Sequence, residues 1–179
     1  MNTFCVPIKL DLEPLTKPYN RYGTDKIIKV PTEDISSQFV DFLLQRNIAI
    51  SFIELFYNTP FRITPIHVDG PSGDYAKINF VYGGPKSVMC WYDANTPKTE
   101  IGHTHTHINT RYINYKPNEV TPTHRQTVHS PSIVQVGIPH NIVNTGQSRW
   151  CISVVPVSAK TQQRIPFQNM VDLFKDRVC

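Results

Sequence analysis

Short segments rich in β-forming residues fill most of this sequence, and they limit the folds that are open to it. From residue 48 onward, Gly, Pro, Asn or Asp residues separate one such segment from the next. The segments are residues 48–57, 62–69, 75–82, 87–93, about 101–115, 132–137 and 148–157. Many short strands divided by turns predict a mainly β sandwich or barrel. A parallel α/β sheet would need a helix after most strands, and that pattern is missing from the sequence.

Two helices are expected to flank the strands. Thr32 is the predicted N-cap of the first helix, which has acidic residues in its first turn and ends near Asn47. Its apolar stripe consists of Ile35, Phe39, Phe42 and Leu43. Pro166 is the predicted start of the second helix. The apolar face of this helix consists of Phe167, Met170, Val171 and Phe174.

The predicted organisation is a single domain over residues 1–179. It divides into an N-terminal arm and helix (1–47), a β core (48–157) and a C-terminal helix (158–179). The net charge of +4 comes from scattered Lys and Arg residues, so no nucleic-acid partner is expected. No stretch reaches the roughly 18 apolar residues that cross a bilayer, and the first residues lack a secretory pattern. With four distant cysteines and no CxxC, a cytoplasmic protein without a disulfide scaffold is expected.

The most visible candidate for a metal site is a run of alternating histidines, His103, His105 and His107. Alternate residues of a strand share one face, with neighbouring Cβ atoms roughly 6.5–7 Å apart. Three imidazoles in such a row fit one ion poorly, and Arg111 and Tyr112 stand where a cupin pattern would have Glu. We therefore interpret the run as an exposed strand. A substrate-contacting face and a zinc site are the alternatives.

A second set of residues offers more specific metal chemistry. His67 and Asp69 lie two positions apart at the end of a predicted strand, so they share a face. His140 opens a later strand, and a two-residue turn at 145–146 would place Arg149 on the same face as His140. Two histidines and a carboxylate form the facial triad of non-haem Fe(II) oxygenases, which leaves three coordination positions open. A nearby guanidinium would bind a dicarboxylate through two parallel hydrogen bonds.

These residues, in this order, resemble a known family. HVD at 67–69, INFVYGGPKSVMCWYD at 78–93 and PHNIVNTGQSR at 139–149 resemble small hydroxylase-like members of the Fe(II)/2-oxoglutarate-dependent oxygenase superfamily. The resemblance spans about residues 50–157. It implies a double-stranded β-helix, or jelly roll, with flanking helices. GIPHNIVN partly matches the second cupin motif, and cupins share this architecture.

Carried over by position, the resemblance implies that His67, Asp69 and His140 bind Fe(II), and that Arg149 binds the distal carboxylate of 2-oxoglutarate. Asn79, on the strand after the HxD motif, is the expected second contact for this cosubstrate.

One position departs from the family pattern. Many members have Ser or Thr two positions after the Arg, whereas this chain has Cys151, and Ser153 is the next residue on the same face. Ser153 is therefore the candidate hydroxyl contact for the cosubstrate.

The implied chemistry consumes O2 and 2-oxoglutarate and hydroxylates a C–H bond. The expected substrate is a protein side chain, an amino acid or a small metabolite, with Tyr82, Trp91 and Tyr92 near the site. Two other classes remain open. One is a cupin-like metal enzyme that needs no 2-oxoglutarate, and the other is a non-catalytic jelly-roll binding protein without metal. Oligomeric state has no signature in this sequence.

Overall fold

The computed structural model describes residues 3–23, 27–70, 73–96, 112–128 and 131–179. Within these residues the chain is mainly β, with two α-helices, which confirms the predicted class. The strands are β1 (Cys5–Pro7), β2 (Ile27–Lys29), β3 (Ile48–Asn58), β4 (Ile66–Asp69), β5 (Ala76–Gly83), β6 (Val88–Ala94), β7 (Tyr112–Tyr115), β8 (Val120–Gln126), β9 (Ser132–Gln135), β10 (His140–Val143) and β11 (Arg149–Ser158). The helices are α1 (Ser37–Leu44) and α2 (Phe167–Leu173).

The strands form two antiparallel sheets. The major sheet has the order β1-β9-β5-β11-β3-β2, and the minor sheet has the order β7-β4-β10-β6-β8. Lys77 of β5 contacts Asp69 of β4 across the gap between the sheets. On β6, Trp91 donates its indole N–H to the carbonyl of Gln135 on β9 at 2.9 Å. One face of each sheet is therefore turned toward the other.

The outward face of the major sheet is apolar, and both helices cover it. Alternate residues of β3, β5 and β11 point to this face, where they are buried against residues of α1 and α2. They are Ile53, Leu55, Ile78, Phe80, Ile152 and Val154 from the strands, with Phe39, Leu43, Phe167 and Met170 from the helices. The larger apolar cluster lies on this side, whereas the inward face carries polar side chains beside a smaller apolar cluster that includes Trp91 and Val134.

The first helix begins later than predicted, and Thr32 as its N-cap is wrong. Residues Thr32–Asp34 form a separate 3₁₀ turn. Asp34 is held instead by the N-terminal arm, where Lys17 contacts its carboxylate at 2.6 Å. The helix is capped by Ser36, whose hydroxyl accepts a hydrogen bond from the Phe39 N–H at 3.5 Å.

The predicted end of α1 and the predicted start of α2 agree with the structure. Past the end of α1, Asn47 adopts φ of 57°, a left-handed conformation that stops a helix. Pro166 directly precedes α2, and Phe167, Met170 and Phe174 are buried as expected. No helix in the described part of the chain is long and apolar enough to span a bilayer.

Two strand predictions need correction. The strand expected over 62–69 is confined to β4, because Pro65 has no N–H to donate, although Thr64 still donates its N–H to Ile142 at 2.9 Å. Strand β8 was not predicted, since VTPTHRQ is polar and contains Pro122. The proline is tolerated because β8 is an edge strand and its pairing with β6 shifts register there.

Gly137 lies where two backbone segments touch, just before the strand that carries His140. A Cβ at this position would fall 1.5 Å from the carbonyl oxygen of Gly73. We expect Gly137→Ala to lower the free energy of unfolding by about 3 kcal/mol, because the backbone would have to separate there. Urea denaturation measures this. Gly146→Ala is the matched control, since a Cβ there meets nothing within 4 Å. Equal stability of the two variants would contradict the prediction.

Candidate functional site

The structure brings His67, Asp69 and His140 together between the two sheets. Strands β4 and β10 are neighbours, and His140 pairs directly with His67. One ligand atom from each residue lies within 4.8 Å of the other two, and the imidazole centroids are 4.5 Å apart. This spacing is close enough for the three side chains to bind one metal ion.

Both histidines are oriented by their own backbone. The Nδ1–H of His67 donates to the carbonyl of Pro65 at 2.9 Å, and that of His140 donates to the carbonyl of Ile138 at 2.8 Å. Because a carbonyl only accepts, Nδ1 carries a hydrogen in each ring, and Nε2 is the atom left to bind a metal ion. Burial, together with the nearby His67, lowers the pKa of His140 to about 4. His140 is therefore a neutral ligand at pH 7.

Asp69 is buried, and its two oxygens have different surroundings. Lys77 Nζ lies 2.8 Å from Oδ2. Oδ1 lies 3.3 Å from His67 Nε2 but is buried without a hydrogen-bond partner among the described residues. Burial alone would raise the pKa of Asp69, yet the charge of Lys77 and the adjacent His67 hold it well below its usual value. Asp69 Oδ1 and one nitrogen of each imidazole thus converge on one point, an arrangement that suits a bound cation.

Sequence reasoning missed the charged residues behind this carboxylate. Lys77 also contacts Glu54 Oε2 at 2.8 Å, and both side chains are buried. The Tyr112 hydroxyl donates to the other Glu54 oxygen at 3.5 Å. Burial alone would lower the pKa of Lys77, but Asp69 and Glu54 raise it, so the lysine is charged. The signal in the sequence was strand alternation, which puts Lys77 and Asn79 on the face opposite Ile78.

The predicted hairpin that placed Arg149 beside His140 is wrong. Strands β10 and β11 belong to different sheets, so Arg149 pairs with Asn58 and Gly83 and does not face Ile142. The connection between the strands crosses from one sheet to the other instead of forming a two-residue hairpin.

Arg149 is nevertheless buried on the inward face of the major sheet, with 3% of its surface exposed. Its guanidinium contacts the thiol of Cys151, and it forms no ion pair with a carboxylate within the described residues. Burial is the larger influence on Cys151 and raises its pKa, although Arg149 and Lys77 oppose this. By strand alternation the thiol shares the inward face with Arg149.

The remaining predicted cosubstrate contacts are adjacent to each other. Ser153 and Asn79 pair across β11 and β5, and the Ser153 hydroxyl donates to Asn79 Oδ1 at 2.8 Å. Both are buried, and Ser153 also pairs with Glu54 on β3. By strand alternation they share the inward face with Arg149 and Cys151. A polar strip thus runs along this face from Arg149 to the residues that contact Asp69.

Of the three aromatic residues expected near the site, one is there. Trp91 is fully buried and pairs with His140 across β10 and β6. Tyr82 points to the outward face of the major sheet, where it stacks on Tyr19 at 4.3 Å. Tyr92 alternates with Trp91 and lies on the outward face of the minor sheet.

His103, His105 and His107 lie outside the described residues, and only the end of the strand expected there is seen, as β7.

Comparisons with known proteins add little to the geometry. No protein-family model matches the chain, and neither does any curated protein. Among solved structures it is similar to peruvianin-I, a cysteine peptidase from the latex of Thevetia peruviana, at 11% sequence identity and a TM-score of 0.35. The match covers 93% of this chain and 96% of that one. A similarity of this size supports no conclusion about fold or chemistry.

Proposed function

We propose that the protein is an Fe(II)- and 2-oxoglutarate-dependent dioxygenase with a double-stranded β-helix core. The path of the chain supports this architecture. Strands β3, β5, β9 and β11 lie in the major sheet, while β4, β6, β8 and β10 lie in the minor sheet. From β3 to β6, and again from β8 to β11, consecutive strands alternate between the two sheets. Strand β6 pairs with β8 within the minor sheet. The chain of a jelly roll with eight strands follows the same path.

The choice of Fe(II) follows from the donor set. His67, Asp69 and His140 offer two imidazole nitrogens and one carboxylate oxygen. This set on one side of an ion is the arrangement of non-haem Fe(II) oxygenases, and it leaves three positions for other ligands. Asp69 Oδ1 and the Nε2 atom of each imidazole can bind such an ion while each Nδ1 keeps its hydrogen bond to the backbone.

The observation that carries the assignment of 2-oxoglutarate is the buried Arg149, which lacks a carboxylate partner among the described residues. A buried cation is costly unless an anion pairs with it. Among the described residues, the space between the sheets holds two buried cations, Arg149 and Lys77, and two buried carboxylates, Glu54 and Asp69. A divalent metal ion and a dicarboxylate dianion entering together would leave this total charge unchanged.

The residues have distinct tasks in this proposal. Bound iron would couple the oxidative decarboxylation of 2-oxoglutarate to hydroxylation: one atom of O2 enters succinate as CO2 leaves, and the other enters the substrate C–H bond. Arg149 would bind the distal carboxylate of the cosubstrate through its two parallel N–H groups. Asn79 and Ser153 would supply further polar contacts on the same face. Trp91 shields one side of His140 from water.

We propose that the substrate, a protein side chain, an amino acid or a small metabolite, approaches from the side of His67. The His67 side chain is 22% exposed, whereas that of Asp69 is 7% exposed and His140 is buried. The ligand set is therefore open to solvent on this side. All four cysteines are free thiols, which fits a reducing cytoplasmic setting where Fe(II) is maintained.

The test is a visible absorption spectrum recorded without oxygen. Purified protein with Fe(II) and 2-oxoglutarate should develop a weak charge-transfer band that requires both additions. Asp69→Ala should lose the band, because the variant lacks the only anionic ligand of the triad. Asp93→Ala is the matched control, since Asp93 is an exposed residue of the same sheet and should leave the band intact.

The other outcomes of the spectroscopic test would each favour a different class of protein or a different metal site. No band in folded protein that retains one metal ion would exclude the 2-oxoglutarate assignment and favour a cupin-like metal enzyme. No bound metal would exclude both and leave a binding protein. A band that persists in Asp69→Ala would place the iron elsewhere in the chain.

A further inference from the structure

We propose that Lys77 is a positioning residue that restricts Asp69 to one coordinating oxygen and thereby keeps three metal positions open. This inference rests on the metal centre of the proposed function. A carboxylate can bind an ion through one oxygen or through both. Binding through both would take a position that the cosubstrate or O2 needs. The geometry around Asp69 selects between these modes before a metal arrives.

The two oxygens of Asp69 are already divided between two roles. Oδ2 is 2.8 Å from Lys77 Nζ, whereas Oδ1 faces His67 Nε2 at 3.3 Å and has no hydrogen-bond partner in the described part of the chain. A charge-assisted hydrogen bond of this length is among the stronger contacts in a protein interior. For Oδ2 to join a metal ion, Asp69 would have to give up its contact with a buried ammonium group.

Glu54 fixes Lys77 in this position and offsets its charge. Lys77 lies 2.8 Å from Glu54 Oε2, and less than 3% of either side chain is exposed. With Lys77 alone, the charge of Asp69 would be cancelled and its attraction for a divalent cation weakened. With Glu54 present, the three side chains together keep one negative charge. The lysine can therefore occupy one oxygen of Asp69 without removing the charge that draws the metal.

A purely structural ion pair would also explain a lysine between two buried carboxylates, so the test must separate the two roles. The double variant Lys77→Met, Glu54→Gln removes one cation and one anion, so the net charge beside the metal is the same as in the unchanged protein. Its glutamine can still accept from the Tyr112 hydroxyl. The ammonium group loses its contacts with Asp69 Oδ2, with Glu54 and with the Phe56 ring, and of these only the first involves a candidate metal ligand.

The measurement is the longitudinal relaxation of water protons with Mn(II) bound to the folded protein. An ion with three protein ligands in octahedral geometry carries three waters, and a second Asp69 oxygen would displace one of them. We expect the double variant to bind Mn(II) but to show a relaxivity per bound ion about a third lower than that of the unchanged protein. Its affinity for 2-oxoglutarate should fall in parallel, because chelation would then compete with Asp69.

Equal relaxivity in the two proteins would overturn the inference and leave Lys77 a structural residue. A folded double variant that binds no Mn(II) would also overturn it, since Lys77 would then be needed for the site to form at all. A crystal structure of the unchanged protein with Mn(II) tests the inference without any substitution. It should show one Asp69 oxygen on the metal and the other on Lys77, and two oxygens on the metal would refute it.

The relaxivity test of Lys77 can succeed or fail separately from the test of the oxygenase assignment. If the charge-transfer band forms but the relaxivities are equal, the role of Lys77 is wrong and the proposed function stands. If the relaxivity falls in the double variant but no band forms, Lys77 has the proposed role in a metal site that does not use 2-oxoglutarate.

Discussion

Arg149→Met should weaken 2-oxoglutarate binding by about 100-fold, or roughly 2.7 kcal/mol, and make the ligand-free protein more stable. The loss follows from removing the guanidinium that would pair with the distal carboxylate. The gain, about 1 kcal/mol, follows because Arg149 is buried without a carboxylate partner among the described residues. Calorimetric titration of the Mn(II)-loaded protein measures the first effect, and urea denaturation without ligands measures the second.

The affinity for Mn(II) itself should change little, because Arg149 is not one of the three ligands. Arg125→Met is the matched control, an exposed arginine of β8 that should alter neither quantity. If Arg149→Met lowers the stability of the ligand-free protein and leaves 2-oxoglutarate affinity intact, the arginine is a structural residue.

Lys77→Met alone should cause the largest loss of stability, about 3–5 kcal/mol. The substitution leaves Glu54 and Asp69 as buried carboxylates without their shared cation. Two buried carboxylates that lose their shared cation are among the few causes of effects this large. Denaturation in urea at pH 7 without metal measures the difference.

Adding Glu54→Gln to Lys77→Met should recover most of this loss, because only one buried carboxylate then remains. The comparison is a partial double-mutant cycle, so the two changes should not be additive. Lys86→Met, at an exposed lysine in the turn before β6, is the control and should alter stability by less than about 0.5 kcal/mol. Additive losses in the double variant would show that Lys77 and Glu54 act separately.

The residues of the candidate metal site could be predicted from sequence because each depends on local order. His67 and Asp69 share a face simply through strand alternation, and His140 begins a strand next to a proline. The convergence of the three side chains then required only that β4 and β10 pair. Their tautomers were not predictable, because the carbonyls of Pro65 and Ile138 are aligned by the backbone conformation before each histidine.

The position of Arg149 and the role of Lys77 could not be predicted in the same way. The Arg149 prediction assumed that neighbouring strands form a hairpin, whereas the chain changes sheets between β10 and β11. Lys77 lies in a strand that is buried on both faces, and an isolated sequence does not reveal which face receives the charge. Ser36 replaced Thr32 as the helix cap because Asp34 is bound by Lys17, a contact distant in sequence.

The two sheets contribute different parts of the site, and this has a consequence for the survival of the protein in a cell. The three candidate metal ligands belong to the minor sheet, and Arg149 belongs to the major sheet. Only the folded chain therefore brings the three side chains and Arg149 together. An unfolded chain would bind neither a metal ion nor 2-oxoglutarate well. A ligand present at 100 times its Kd adds about 2.7 kcal/mol of stability to the native state. Under the proposed function, the cellular supply of iron and 2-oxoglutarate would affect how much of the protein escapes degradation, as well as its rate of turnover.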